Sequence, residues 1–214
     1  MATTQNRSAA DFVPNRLTLG ALRSAAESCK GCDLYRDATQ TVFGEGADKA
    51  SLIFVGEQPG DMEDRQGHPF VGPAGRLLDR ALAEARIPRE QVYVTNAVKH
   101  FKFIQRGKRR LHQKPLIRQV MACRPWLEAE IRVIQPKVVV LLGATAAQAI
   151  LGRSVRVTQE RGKFFAVDSH EGFITIHPAA ILRLRESSER EQEYKRFAAE
   201  MKRVQRKLTP LKRR

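Results

Sequence analysis

The sequence predicts an α/β fold, a three-layer α/β/α sandwich around a central, mostly parallel four-stranded sheet. Four short apolar runs carry the sheet: SLIFVGE from Ser51, QVYVTNAV from Gln91, PKVVVLLG from Pro136 and GFITIHP from Gly172. Helical patterns lie between them, including AGRLLDRALAEAR from Ala74 and PLIRQVMACRPWLEAEIRVI from Pro115. Strand–helix alternation of this kind implies parallel strands with helices on both faces. At 214 residues, 42% of them hydrophobic, the chain can bury one such core.

The flanking elements follow in order. Residues 1–16 read as a flexible arm, and Leu17 to Ser28 as a short helix. The stretch from Glu186 reads as a charged helix fraying into the basic tail KLTPLKRR. No internal repeat or low-complexity linker interrupts the pattern, so residues 1–214 read as a single domain with its core at about 17–206. The N-terminus lacks the apolar segment of a secretory signal. No run approaches the roughly 20 apolar residues that cross a bilayer. A cytoplasmic, monomeric protein with no membrane partner is expected. Lys and Arg number 38 against 23 Asp and Glu, a formal charge of +15. Such an excess points to a polyanion, most often nucleic acid.

In open parallel sheets ligands bind beyond the carboxyl ends of the strands. The four ends here run into GEQPGD (Gly56 to Asp61), TNAVK (Thr95 to Lys99), GATAAQ (Gly143 to Gln148) and HPAAILR (His177 to Arg183). They bring Glu57, Gln58, Asp61, Asn96 and His177 to one rim. Taken singly, each reads as a polar loop residue, and Asn96 as a turn former. Three cysteines, Cys29 and Cys32 in CKGC and the distant Cys123, form no disulfide framework. Three soft thiolates suit zinc or an iron–sulfur cluster, and either needs a fourth ligand.

GEQPG, HPFVGPAGRLLD, TNAVK, GATAA and HPAAILR, in that order, resemble the uracil-DNA glycosylase superfamily, most closely its iron–sulfur family 4. The resemblance spans about residues 28–185. Gln58, where family 4 usually has alanine, and the basic insert KRRLH (Lys108 to His112) resemble the UdgX group, which attaches covalently to uracil-containing DNA. That group's insert usually reads KRRIH, so Leu111 is a mild departure.

The resemblance implies a uracil-DNA glycosylase-like fold and excision of uracil from DNA, with single-stranded DNA the expected preference. It favours a [4Fe–4S] cluster on Cys29, Cys32 and Cys123. His100 stands where family 4 has its fourth cysteine and becomes the fourth ligand. Phe70 would stack on the uracil. Asn96 would donate to O4 and accept from N3–H, a pattern cytosine reverses. His177 would donate to O2 as negative charge grows there. Glu57 would face the cationic sugar or position His112. Gln58 would contact the uracil or its phosphate, and Asp61 would orient the same loop. Lys108, Arg109 and Arg110 would attract phosphates, with Lys99 and Arg183 further cations at the rim.

Phosphate attraction does not explain His112. A neutral imidazole is a competent nucleophile at neutral pH. The group's behaviour implies that His112 captures the anomeric carbon, giving a single-turnover enzyme trapped as a covalent adduct with the abasic site. Two alternatives remain at this level: a turnover glycosylase that releases free abasic DNA, and a non-enzymatic DNA-binding protein that keeps the fold.

Overall fold

The computed structural model describes residues 8–208. Strands β1 (Glu45–Gly46), β2 (Leu52–Gly56), β3 (Tyr93–Asn96), β6 (Val138–Leu142), β7 (Phe164–Val167) and β8 (His170–Thr175) form one sheet. Strands β4 (Phe103–Arg106) and β5 (Arg109–His112) form a separate hairpin. The helices are α1 (Leu19–Ala26), α2 (Asp61–Gln66), α3 (Pro73–Glu84), α4 (Ile117–Ile134), α5 (Ala144–Leu151), α6 (Val157–Glu160), α7 (Pro178–Leu182) and α8 (Ser187–Leu208).

The sheet order is β1-β3-β2-β6-β8-β7. Its four inner strands are parallel and are the four predicted runs. The sheet has six strands rather than four, because β1 and β7 add antiparallel edges. β1 is two residues long and carries no apolar run, whereas β7 (FFAV) is an apolar run of four residues, only partly buried at the sheet edge, that the four predicted runs do not include.

Period-2 alternation divides the inner strands between two cores. Ile53, Val55, Val139 and Leu141 face Leu22, Trp126, Leu127 and Ala146 of α1, α4 and α5. Leu52, Phe54, Val138, Val140 and Leu142 face Leu78, Leu82, Phe197 and Met201 of α3 and α8. Each large buried side chain of this kind contributes about 1.5–3 kcal/mol by leaving water. No helix among the described residues is long and apolar enough to cross a membrane.

The predicted arm is partly ordered structure. Residues 1–7 lie outside the described residues, but Ala9–Asp11 form a 3-10 turn packed on α4, with Ala9 buried. Gly31 of CKGC permits this approach, since a Cβ there would sit 2.5 Å from the Ala9 backbone nitrogen. At the other end α8 continues to Leu208, and the tail from Thr209 lies outside the described residues.

From β2 the chain goes first to β3 on one side and later to β6 on the other. That reversal opens a crevice beyond the carboxyl end of β2.

Candidate active site

The crevice is a cavity of about 610 Å³. Glu57, Gln58 and Asp61 line it from the β2 end, with Phe70 and Asn96 beside them. His112 from the hairpin and His177 from the β8 end complete the set. Seven residues expected from the sequence thus share one wall, although the chain separates the first and last by 120 positions.

Phe70 and Asn96 are held by close backbone approaches. Phe70 has left-handed backbone (φ 61°) and lies against Gly75, where any Cβ would collide with the Phe70 carbonyl. A Cβ on Gly56 would meet the Asn96 Oδ1 and come within 2.8 Å of the Phe70 ring. Glycine at position 56 therefore leaves the slot where the aromatic face and the amide meet. The Asn96 carbonyl accepts from Lys99 Nζ at 2.9 Å, while its side-chain amide makes no hydrogen bond among the described residues.

His177 caps α7. Its Nδ1 accepts the Ala179 N–H at 3.1 Å, which puts the ring proton on Nε2. Burial, with help from the charges of Arg183 and His112, pushes its pKa down to about 4. The ring is neutral at neutral pH and lies 6.2 Å from the Phe70 ring, nearly parallel to it.

Glu57 accepts the Thr145 hydroxyl on Oε2, and its Oε1 lies 3.5 Å from His112 Nε2. Thr145 stands at the start of α5, where the helix dipole favours a carboxylate. Burial lowers the His112 pKa and Arg183 adds to that. Glu57 and a hydrogen bond from the ring to its own backbone carbonyl oppose it. Nε2 is the ring nitrogen that faces Glu57 on the cavity wall.

The basic insert is part of a hairpin. Gly107, with φ 58°, opens its two-residue turn, a conformation glycine adopts without steric cost. Gln58 closes the root. Its amide donates to the carbonyls of Lys102 (3.1 Å) and Gln113 (3.0 Å) and accepts the Lys102 N–H (3.1 Å). The amide expected on the uracil or its phosphate is therefore spent on the hairpin.

Arg110 is likewise turned inward rather than toward phosphates. Its guanidinium binds Asp61, Asp64 (2.6 Å) and the Thr39 hydroxyl (3.0 Å), and lies over Phe101 and Phe103. Burial pushes the Asp61 carboxyl up, but hydrogen bonds from Arg65 and Arg110 outweigh it and hold it below the usual range. Lys108 and Arg109 stay exposed at the hairpin tip. Lys99, expected at the rim, is fully buried in an ion pair with Glu130 at 2.6 Å, which Thr95 and Tyr93 share. Sequence reasoning missed Thr145 and Lys114, which line the cavity, and Asp64. Only the position of Thr145 in the first turn after a strand end could have flagged it.

Outside the cavity lining, Cys29 and Cys123 are buried and Cys32 partly so. Each sulfur receives an N–H: Trp126 Nε1 to Cys29 (3.2 Å), Lys99 to Cys123 (3.3 Å), and Leu34 to Cys32. Burial pushes the Cys32 thiol to about 11 and the Cys123 thiol to about 12, and neighbouring cysteines add to both. Among the described residues no three His, Cys, Asp or Glu side chains converge as a single metal ion requires. A multi-iron cluster takes its ligands at separated corners, and three thiols with N–H donors aimed at them suit one. His100 is buried, and burial lowers its pKa to about 4, so it is a neutral ligand type. Its Nε2 bonds the Thr41 hydroxyl at 2.9 Å, which leaves Nδ1 for a metal.

Comparison with known proteins supplies the remaining evidence. A family model described as the uracil DNA glycosylase superfamily matches residues 43–202. A type-4 uracil-DNA glycosylase of Sulfurisphaera tokodaii is 36% identical over 174 residues, 77% of this chain and 76% of the relative. Another, of Thermotoga maritima, is 39% identical over 163 residues, 74% of this chain and 80% of the relative. A third, of Archaeoglobus fulgidus, is 36% identical over 72% of this chain and 78% of its own length. With the family model covering the whole sheet and every strand end that builds the cavity, the chain belongs to the uracil-DNA glycosylase superfamily.

Proposed function

We propose that this protein excises uracil from DNA and that His112 then captures the sugar, as in the UdgX group. The observation that carries the second part is the placement of His112 Nε2 3.5 Å from Glu57 Oε1, on the wall shared with Phe70, Asn96 and His177. Phe70 stacks on the extruded base. Asn96 reads its O4 and N3–H edge. As the glycosidic bond breaks, its electron pair passes to the uracil ring, and the His177 Nε2–H donates to O2. The Glu57 carboxylate faces the cationic sugar.

The His112 Nε2 lone pair forms the new bond to C1′. The resulting imidazolium gives its Nδ1 proton to solvent, and the departing uracil anion takes one up, so charge and atoms balance. An N-glycosyl imidazole resembles a nucleoside bond and resists hydrolysis, which makes the enzyme single-turnover. Lys108 and Arg109 supply phosphate attraction. Cys29, Cys32, Cys123 and His100 hold a structural [4Fe–4S] cluster, whose contribution is to fasten chain segments together.

The deciding experiment incubates wild type and His112→Ser with uracil-containing single-stranded DNA and runs a denaturing gel. Wild type should give a complex that survives heat and detergent. His112→Ser should lose that complex yet still release uracil and leave an abasic site, because water can take the vacated position. A stable complex with His112→Ser would place the nucleophile elsewhere. Free abasic DNA from wild type would mark an ordinary turnover glycosylase.

A further inference from the structure

Thr145 is buried in the first turn of α5 and contacts neither base edge nor hairpin through any bond described above. Its hydroxyl bond to Glu57 Oε2 is the carboxylate's single side-chain hydrogen bond among the described residues. The other oxygen of the same planar group lies 3.5 Å from His112 Nε2. Three strand ends therefore meet in a line: α5 after β6, the turn after β2, and the hairpin after β3. A glutamate has three rotatable side-chain bonds, and fixing one oxygen of its carboxylate fixes the other. Without that bond nothing described holds Glu57 against His112 rather than toward solvent.

We propose that Thr145 is a positioning residue: by holding Glu57 it sets His112 against the sugar and biases capture toward imidazole rather than water. This rests on reading His112 as the nucleophile. Thr145→Val keeps the shape and removes the hydroxyl, Thr145→Ser restores the hydroxyl, and Glu57→Ala removes the group through which Thr145 acts.

The experiment follows single turnovers on uracil-containing single-stranded DNA, measuring uracil released, stable complex and free abasic DNA. Thr145→Val should form the complex about tenfold more slowly, the scale of one hydrogen bond to a charged group, and leave more free abasic DNA. Thr145→Ser should return to within about twofold of wild type. In the Glu57→Ala background Thr145→Val should add nothing further. Wild-type rates in Thr145→Val overturn the proposal. So does an equal loss in both backgrounds, which would mean that Thr145 serves only the packing of α5. If wild type releases uracil without any stable complex, the His112 reading fails by itself. The coupling of Thr145 to Glu57 is then judged from uracil release in the same four proteins, and independence of the two substitutions overturns it.

Discussion

His177 spends Nδ1 on capping its own helix, and burial holds it neutral, so its free group is an N–H donor. His112 faces the same cavity through Nε2, 3.5 Å from Glu57 Oε1. In the proposed reaction one residue type thus takes two tasks, hydrogen-bond donor and nucleophile. The pH dependence follows. On the proposed reading only neutral His112 attacks, and burial holds its pKa below the ordinary 6.5. Lowering the pH through that depressed value protonates the ring and removes the lone pair. Stable-complex formation should therefore be flat at and above neutral pH and fall on an acid limb whose midpoint is below 6.5. A midpoint above that value in a single-turnover pH series would contradict the burial-driven shift.

The hairpin is the element on which sequence and structure differ most. Its basic residues look alike in the sequence, but pairing across β4 and β5 gives them different surroundings. Arg110 is only 11% exposed and neutralises the fully buried Asp64, whereas Arg109 is solvated. Arg110→Ala should destabilise the protein by about 3 kcal/mol, since it strands a buried carboxylate. It should also unseat His112 and abolish the stable complex. Arg109→Ala should leave stability within about 0.5 kcal/mol. It should weaken noncovalent DNA binding and reduce its salt dependence by about one phosphate contact. Equal behaviour of the two variants in denaturant titration and on a denaturing gel would refute the inward role of Arg110. Gln58 belongs to the same account: its amide ties both strands of the hairpin root to the turn that carries Glu57.

At the scale of the molecule, the proposed cluster would join three separate regions. Cys29 and Cys32 follow α1, Cys123 sits in α4, and His100 lies in the loop after β3. Purified protein should contain iron and sulfide and absorb broadly in the visible. Replacing His100 with Cys should preserve that spectrum. Active protein that contains zinc alone would exclude the cluster. The excess of 15 positive charges is spread over the same molecule, but only some of it is free to meet DNA: Lys99 and Arg110 are already neutralised by buried carboxylates.

The sequence by itself determined the parallel strands and the rim residues. Inner strands covered on both faces must be continuously apolar, and functional groups gather where such strands end. It could not disclose β1, a two-residue Glu–Gly pairing, and the four apolar residues of β7 are too short a run to tell an edge strand from a buried loop. Nor could it separate Arg110 from Arg109 or Lys99 from a rim cation, because charge is read from residue type while burial and partners come from segments far away in the chain. Gln58 and Thr145 were undecidable for the same reason. Their partners are Lys102, Gln113 and Glu57, and only the folded chain brings those groups within hydrogen-bonding distance.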